Sequence, residues 1–160
     1  GKGGRHFTSW KFRSMHPRSG ADDGPPAQAE LEEDRVTRVG RFMRPCALDE
    51  LPQLWNVLQG DMSLVGPRAL LPEEVEHRSD GKEPVRLEEL PGYEERHSVL
   101  PGLTGLAQTR TARDRPHRKK FHYDIRYARN RSFLLDLRLI VQSVVISLTG
   151  GWSDVERDAA

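Results

Sequence analysis

The most informative stretch of this chain runs from residue 48 to residue 68 and reads LDELPQLWNVLQGDMSLVGPR. Apolar side chains recur there at helical spacing, which predicts a short helix that can bury one side. These positions are Leu48, Leu51, Leu54, Trp55 and Leu58. Asp49 is a favourable N-cap, so the carboxylates of Asp49 and Glu50 are predicted to lie at the positive end of that helix. Farther on, Gly66-Pro67-Arg68 predicts a rigid turn that presents a guanidinium group suited to phosphate.

Two adjacent carboxylates followed by an arginine turn suit a phosphate-bearing substrate and a divalent metal, because Mg²⁺ prefers oxygen ligands. A second interpretation is a capped structural helix followed by a surface turn. An N-cap Asp followed by Glu is common, so spacing alone favours this second interpretation. The residues by themselves leave both interpretations open.

Composition limits the alternatives without selecting one. At 160 residues the chain is expected to form one domain, and its 36% hydrophobic and 31% charged residues predict a modest core. A basic tract over residues 110–131 could face nucleic acid, anionic lipid or a phosphorylated substrate. No aromatic interleaving or recognised binding module supports the nucleic-acid interpretation. A single cysteine, Cys46, excludes an intramolecular disulfide.

The last third of the chain predicts two helices, over about residues 116–130 and 132–148. Apolar side chains fill most of the circumference of the second helix, which Ser132 would cap. At 1.5 Å per residue it is roughly 25 Å long, which is short for a membrane span of ~20 apolar residues. It is therefore either a core helix or a helix lying in the membrane interface, with the basic tract towards anionic headgroups.

The stretch from residue 48 to residue 68 closely resembles the signature of the bacterial sugar transferases. These are monotopic phosphoglycosyl transferases, which move a sugar-1-phosphate from a nucleotide sugar onto a polyprenyl phosphate. Three further segments match in the same order: Gly1-Lys2-Gly3-Gly4 with Phe7 and Lys11-Phe12-Arg13-Ser14-Met15, then residues 34–44 (DRVTRVGRFMR), then residues 101–108 (PGLTGLAQ). A looser match covers Asp124, Tyr127, Ser132 and Leu135-Asp136-Leu137. The resemblance spans roughly residues 1 to 150 in one register.

The resemblance implies a mixed α/β (α+β) fold of mainly short helices with a small sheet and amphipathic helices at the membrane interface. Residues 1–150 would form the catalytic domain, and residues 151–160 would be a C-terminal tail. Residues 16–33 are rich in Pro, Gly, Ala and acidic side chains, which predicts a loop of a composition typical of disorder. The family carries a hydrophobic re-entrant helix just before the GKGG element, so we expect this chain to begin after that anchor.

The resemblance also implies a mechanism. Asp49 would be the nucleophile that attacks the sugar-bearing phosphate, giving a covalent aspartyl-phosphosugar intermediate. Glu50 would be its partner, either deprotonating the polyprenyl phosphate or holding the metal. The expected cofactor is Mg²⁺, with Asp49 as its protein ligand. The expected partners are a UDP-sugar, a polyprenyl phosphate and the cytoplasmic face of the bacterial inner membrane, and not nucleic acid.

Three further positions match family site residues, and each has a simpler structural interpretation. Arg44 and Arg68 match arginines that contact phosphate. Asp124 matches an acidic position near the site whose role is open. Alternatively, Arg44 is a solvated cation at a helix end, Arg68 ties to a backbone carbonyl, and Asp124 pairs with Lys120 or Arg131.

The chain departs from the family pattern at two places. Ala69 follows Arg68 where the family usually has proline, and residues 109–112 (TRTA) replace the common Val-Asn-Gly-Arg. These departures bear on substrate preference more than on reaction class. They also keep open a non-catalytic remnant that binds a nucleotide sugar without turning it over.

Overall fold

A computed structural model describes residues 1–17, 35–72, 74–76, 83–111 and 116–149. Most of the predicted loop at residues 16–33 and all of the predicted tail at residues 151–160 lie outside the described residues. Helices dominate the described parts and are accompanied by short strands in two-stranded sheets. The predicted fold class, mixed α/β with short helices and little sheet, is confirmed.

The helices are α1 (Arg38–Met43), α2 (Gln53–Gln59), α3 (Tyr93–Arg96), α4 (Leu106–Arg110), α5 (His117–Asn130) and α6 (Phe133–Thr149). The strands are β1 (Ser63–Val65), β2 (Val75–Glu76), β3 (Val85–Arg86) and β4 (Gly102–Thr104). Short 3₁₀ turns occupy Lys2–Gly4, Arg44–Cys46, Leu48–Glu50 and Leu87–Glu89. Strands β1 and β4 pair in parallel, whereas β2 and β3 pair antiparallel. The two C-terminal helices fall where the sequence predicts them.

The buried core forms where α5 and α6 pack near the parallel strand pair. Val65, Tyr127 and Leu139 make one apolar cluster there. The hydroxyl of Tyr127 donates a hydrogen bond to the Asp136 carboxylate at 2.8 Å, which joins α5 to α6. A second cluster, around Phe121, packs α5 against the turn at Leu87–Glu89. Helix α5 therefore links the C-terminal helix to the segment that carries α3.

The turn that follows β1 depends on close backbone contact with β4. A side chain at Gly66 would place its Cβ 2.3 Å from the carbonyl oxygen of Leu100, so only glycine fits. The Gly66 amide donates to the Thr104 carbonyl at 2.8 Å, and the Gly102 amide donates to the Pro67 carbonyl at 2.9 Å. These contacts fix the backbone immediately before Arg68.

The N-terminal segment is held on α2 by one buried amide side chain. Asn56, which is fully buried, donates from Nδ2 to the Thr8 carbonyl at 2.7 Å. It also accepts a hydrogen bond from the Trp10 amide at 3.1 Å. Further along, the Phe12 amide donates to the Asp49 carbonyl at 2.9 Å. Asn56 therefore helps carry the N-terminal segment to the turn that holds the acidic pair.

The predicted burial of the apolar side of α2 is wrong. Leu51, Leu54, Trp55 and Leu58 are between 44% and 79% exposed. The buried residues of α2 are Gln53 and Asn56, and the Asn56 side chain meets backbone groups of the N-terminal segment that need hydrogen-bond partners. Helical spacing identifies two faces, but it cannot tell which of them meets the rest of the protein.

Helix α6 packs one side into the core and leaves another apolar side exposed. Leu139 and Ile146 are buried against the core. A second side is apolar and exposed, with exposed fractions between 49% and 83%: Phe133, Leu134, Leu137, Val141, Val144, Val145 and Leu148. Within the described ranges, no helix is both long enough and apolar enough to cross a membrane.

Replacing Asn56 by alanine should lower the free energy of unfolding by about 2 kcal/mol, because it removes two hydrogen bonds and leaves a partly buried carbonyl and amide without this partner. Urea denaturation of the purified variant measures this loss. Gln59→Ala is the matched control, since Gln59 is exposed on the same helix. Equal stability of the two variants would show that the N-terminal segment is not held by Asn56.

Candidate active site

The acidic pair lies on a 3₁₀ turn rather than at the start of α2. The turn spans Leu48–Glu50 and follows Ala47, whose backbone is left-handed with φ of 54°. Helix α2 begins later, at Gln53, with Pro52 as its N-cap residue. The predicted N-cap role of Asp49 is therefore wrong, because proline favours a helix start and shifts it downstream of the pair.

The carboxylate of Asp49 is oriented from the N-terminal segment. The hydroxyl of Ser14 donates to Asp49 Oδ2 at 3.1 Å. The backbone of Ser14 is fixed in turn, because its carbonyl accepts from the Thr37 amide at 3.0 Å. Gly40 packs so tightly there that an added Cβ would lie 2.1 Å from the Ser14 carbonyl oxygen. The start of α1 thus positions the hydroxyl that contacts Asp49.

Glu50 is held between two cations from distant parts of the chain. Its Oε1 atom lies 2.9 Å from Lys11 Nζ and 3.0 Å from Arg68 Nη2. The Glu50 side chain is only 12% exposed, so water screens these pairs less than it screens surface pairs. Burial and the neighbouring Arg68 guanidinium lower the pKa of Lys11, while attraction to Glu50 opposes that change.

Arg44 lies on the short turn that immediately precedes the acidic turn in the chain. Arg44 begins the 3₁₀ turn Arg44–Cys46, which packs against the turn Leu48–Glu50. The Ala47 amide donates to the Arg44 carbonyl at 3.1 Å, which closes this turn. Arg44 is half-buried. Its backbone is therefore adjacent to the acidic pair, while its contact with phosphate stays a prediction.

Asp124 does not join the acidic pair. It is buried on α5, where its Oδ2 accepts from Arg96 Nε at 2.8 Å. This partner is neither Lys120 nor Arg131, the two that the sequence suggested. Burial raises the pKa of the Asp124 carboxyl, and the Arg96 guanidinium opposes that rise. Asp124 is linked to the Arg68 turn through Arg96, because Arg96 also donates to the Arg68 carbonyl.

The carboxylate oxygens of the acidic pair are suitable ligands for a hard divalent cation that binds together with a phosphate-bearing substrate. In the parts of the chain that the structure describes, no three His, Cys, Asp or Glu residues cluster as a ready metal cage. Mg²⁺ usually takes one or two carboxylates together with substrate phosphates and several waters. Asp49 with a diphosphate and water fits that pattern, and Glu50 is close enough in sequence to contribute.

A cavity of about 210 Å³ opens beside the residue that follows Arg68. Its wall includes Leu70, Glu74, Glu88, Tyr93 and His97. The rings of Tyr93 and His97 contact each other at an angle of 39°, with centroids 4.0 Å apart. His97 Nδ1 lies 2.7 Å from the Tyr93 carbonyl, so Nδ1 carries the proton and donates it to that oxygen. The cavity thus combines aromatic surface with carboxylates near the arginine turn.

Sequence reasoning gave no role to Lys11, Ser14 or Arg96. Lys11 is 39 residues from Glu50, and Ser14 is 35 residues from Asp49. Lys11 and Ser14 belong to the KFRSM segment, whose match to the family was the only signal that could have indicated them. Arg96 lies in a charged helix with no distinguishing pattern, so only the packed structure identifies it.

The family profile described as "Bacterial sugar transferase" matches residues 1–150. The chain belongs to the bacterial sugar transferase family. It is 44% identical over 155 residues to a UDP-glucose:undecaprenyl-phosphate glucose-1-phosphate transferase of Caulobacter vibrioides, covering 93% of this chain and 54% of that relative. A transferase of the same name from Xanthomonas campestris pv. campestris is 42% identical, with 91% of this chain and 29% of the relative covered.

The similarity extends to relatives named for other sugars. A UDP-N-acetylgalactosamine-undecaprenyl-phosphate N-acetylgalactosaminephosphotransferase of Aeromonas hydrophila is 41% identical, with 94% of this chain and 34% of that protein covered. This sugar transferase chain thus spans about half, or less, of the length of these three relatives. The predicted family is confirmed, whereas the sugar differs among the relatives.

Stability of this sugar transferase chain should fall as the pH is lowered through the range set by His97. Burial lowers the pKa of His97 from 6.5 to about 4. Between these values the unfolded chain binds more protons than the folded chain, so stability present above pH 6.5 is lost towards pH 4. Urea denaturation at several pH values measures the slope.

The His97→Gln variant should show a shallower pH slope over the same range. His122→Gln is the matched control, because His122 is exposed on α5. Identical slopes for wild type and His97→Gln would contradict the assignment to His97.

Proposed function

We propose that this chain is the catalytic part of a phosphoglycosyl transferase. It moves a sugar-1-phosphate from a UDP-sugar onto a polyprenyl phosphate and thereby begins exopolysaccharide, O-antigen or glycoconjugate assembly. The observation that carries the proposal is the convergence of Lys11, Ser14 and Arg68 on the Asp49–Glu50 pair. The names of the curated relatives supply the substrate classes.

In the first step, a carboxylate oxygen of Asp49 attacks the phosphorus that carries the sugar. A bond forms between Asp49 and phosphorus, the bond to the bridging oxygen breaks, and uridine monophosphate leaves. Covalent catalysis of this kind splits one difficult displacement into two easier ones. The hydrogen bond from Ser14 supports this role, because it fixes the orientation of the Asp49 carboxylate.

In the second step, an oxygen of the polyprenyl phosphate attacks the same phosphorus. The bond between Asp49 and phosphorus breaks, which restores the carboxylate and leaves a sugar linked to the lipid through a diphosphate. Glu50 accepts the proton of the incoming phosphate or helps to hold the cation. Its position beside Asp49, at 12% exposure, supports direct participation in one of these roles.

The formal charges around the acidic pair support a need for a divalent cation. Lys11 and Arg68 balance the two carboxylates before substrate arrives. A diphosphate then adds negative charge that these two cations do not neutralise. Mg²⁺ held by Asp49 and the phosphate oxygens would supply that neutralisation. Arg68, with Arg44 on the preceding turn, would bind phosphate oxygens.

The exposed apolar side chains support docking of this chain on a membrane surface. They occur on α1, at Val39 and Phe42, as well as on α2 and α6. Helix α1 contacts the turn of the acidic pair, and α6 packs against the turn Arg44–Cys46. The apolar surface therefore borders the proposed active site, as a lipid phosphate acceptor requires. We propose that this surface docks on the cytoplasmic face of the bacterial inner membrane.

The Asp49→Asn variant should lose at least about 10³-fold in release of uridine monophosphate, because an amide cannot serve as the nucleophile. The assay uses a panel of UDP-sugars with undecaprenyl phosphate, detergent and Mg²⁺. Glu94→Gln is the matched control, since it removes an exposed carboxylate on α3. Glu50→Gln should also lower turnover by orders of magnitude.

Undiminished release of uridine monophosphate by the Asp49→Asn variant would contradict the covalent mechanism. Binding of a UDP-sugar by the wild-type protein without release of uridine monophosphate would indicate the non-catalytic remnant. Omission of Mg²⁺ with excess chelator should abolish release if a divalent cation is needed. Salt-sensitive nucleic-acid binding that is unaffected by changes at Asp49 or Arg68 would instead support a nucleic-acid binder.

Leu58→Ser on α2 and Leu148→Ser on α6 should each weaken binding to vesicles of phosphatidylethanolamine and phosphatidylglycerol by about 10-fold or more, the loss expected from one buried leucine. Cosedimentation measures the partition coefficient. Leu71→Ser is the matched control, because Leu71 is an exposed leucine in the wall of the cavity. Equal partitioning of all three variants would contradict the proposed membrane face.

A further inference from the structure

We infer that the buried pair formed by Arg96 and Asp124 sets the position of Arg68, so that both are positioning residues for phosphate binding. The inference rests on the proposed function, because it assigns Arg68 to a substrate phosphate. It also gives Asp124 a role that neither the sequence nor the resemblance supplied.

The guanidinium of Arg96 is fixed on several sides. Its Nε donates to Asp124 Oδ2 at 2.8 Å, and both side chains are only 3% exposed. Its Nη2 donates to the backbone carbonyl of Arg68. Its central carbon lies 5.0 Å from the centroid of the Phe121 ring, which packs beneath the cation. One planar fork thus links α5 to the arginine turn.

The contact from Arg96 completes a set of restraints on the arginine turn. Hydrogen bonds between this turn and β4 hold the backbone at Gly66 and Pro67. The contact from Arg96 holds the next carbonyl, that of Arg68 itself. The Arg68 side chain then extends to Glu50, 3.0 Å away, while remaining 40% exposed. Movement of the held carbonyl would therefore displace the guanidinium relative to the acidic pair.

The chemistry of Asp124 favours positioning over direct binding. A carboxylate repels a phosphate, and this one is buried on α5. Its Oδ1 is buried without a hydrogen-bond partner among the described residues. A buried ion pair with an unsatisfied oxygen contributes little net stability. Asp124 holds Arg96 in one orientation, and Arg96 in turn holds Arg68. This role accounts for the presence of a charged pair at this place.

The inference is tested with the double variant Arg96→Met/Asp124→Val, assayed in the full-length protein. Replacing a buried ion pair by apolar side chains usually preserves folding, but here it removes the donor to the Arg68 carbonyl. We expect kcat/KM for the UDP-sugar to fall about 10- to 100-fold, since displacement by about 1 Å can cost that much. Thermal unfolding monitors the fold of each variant.

The decisive measurement repeats the substitutions in an Arg68→Ala background. If the buried pair acts through Arg68, the double substitution should then lower kcat/KM by less than about 2-fold. A merely structural pair would give the same loss in both backgrounds. Glu95→Gln/Arg129→Gln is the matched control, because that exposed ion pair joins the same two helices. It should leave kcat/KM unchanged.

Additive losses, or full activity of a folded double variant, would overturn the inference. If the double variant does not fold, Arg96→Lys takes its place. An ammonium keeps the pair with Asp124 but lacks the fork that also reaches the Arg68 carbonyl. If wild type releases no uridine monophosphate, the proposed function fails, and the same cycle is then read from UDP affinity by calorimetry. Loss of affinity that vanishes in the Arg68→Ala background would still support the inference.

Discussion

The contact on which the rest of the site depends is the placement of Glu50 between Lys11 and Arg68. Lys11 comes from the N-terminal segment and Arg68 from the turn after β1, at 2.9 Å and 3.0 Å from one carboxylate oxygen. A carboxylate at 12% exposure is stable only when its charge is compensated. The ion pairs therefore stabilise the acidic turn and also bring together the groups to which the proposed phosphoryl transfer is assigned.

Two polar supports bring these cations together. On one side, Asn56 binds the backbone of the N-terminal segment and so carries Lys11 and Ser14 to the acidic turn. On the other side, close backbone contacts at Gly66 fix the turn that presents Arg68. The apolar core is formed separately, by side chains of β1, α5 and α6. Stability and chemistry are thus divided between an apolar core and a polar framework that holds the site.

The exposed apolar sides of α2 and α6 follow from the same division. Helix α2 turns Gln53 and Asn56 inward, and Asn56 pairs there with backbone groups of the N-terminal segment, which leaves Trp55 and Leu58 outside. Helix α6 buries Leu139 and Ile146 and packs Leu135 and Ile140 partly against the core, while the apolar side that includes Phe133 and Leu148 is exposed. In a chain with 31% charged residues, this exposed apolar surface is the feature on which the proposed membrane docking rests.

The sequence by itself determined the family, the mixed α/β class and the approximate bounds of the two C-terminal helices, because local motifs and 3.6-residue spacing carry that information. It also marked Asp49, Glu50 and Arg68, which lie within one short stretch. Only the tertiary structure decided that Asp49 is not an N-cap, that the polar side of α2 is buried, and that Asp124 pairs with Arg96. These features depend on contacts between residues far apart in the chain, which spacing along the sequence does not encode.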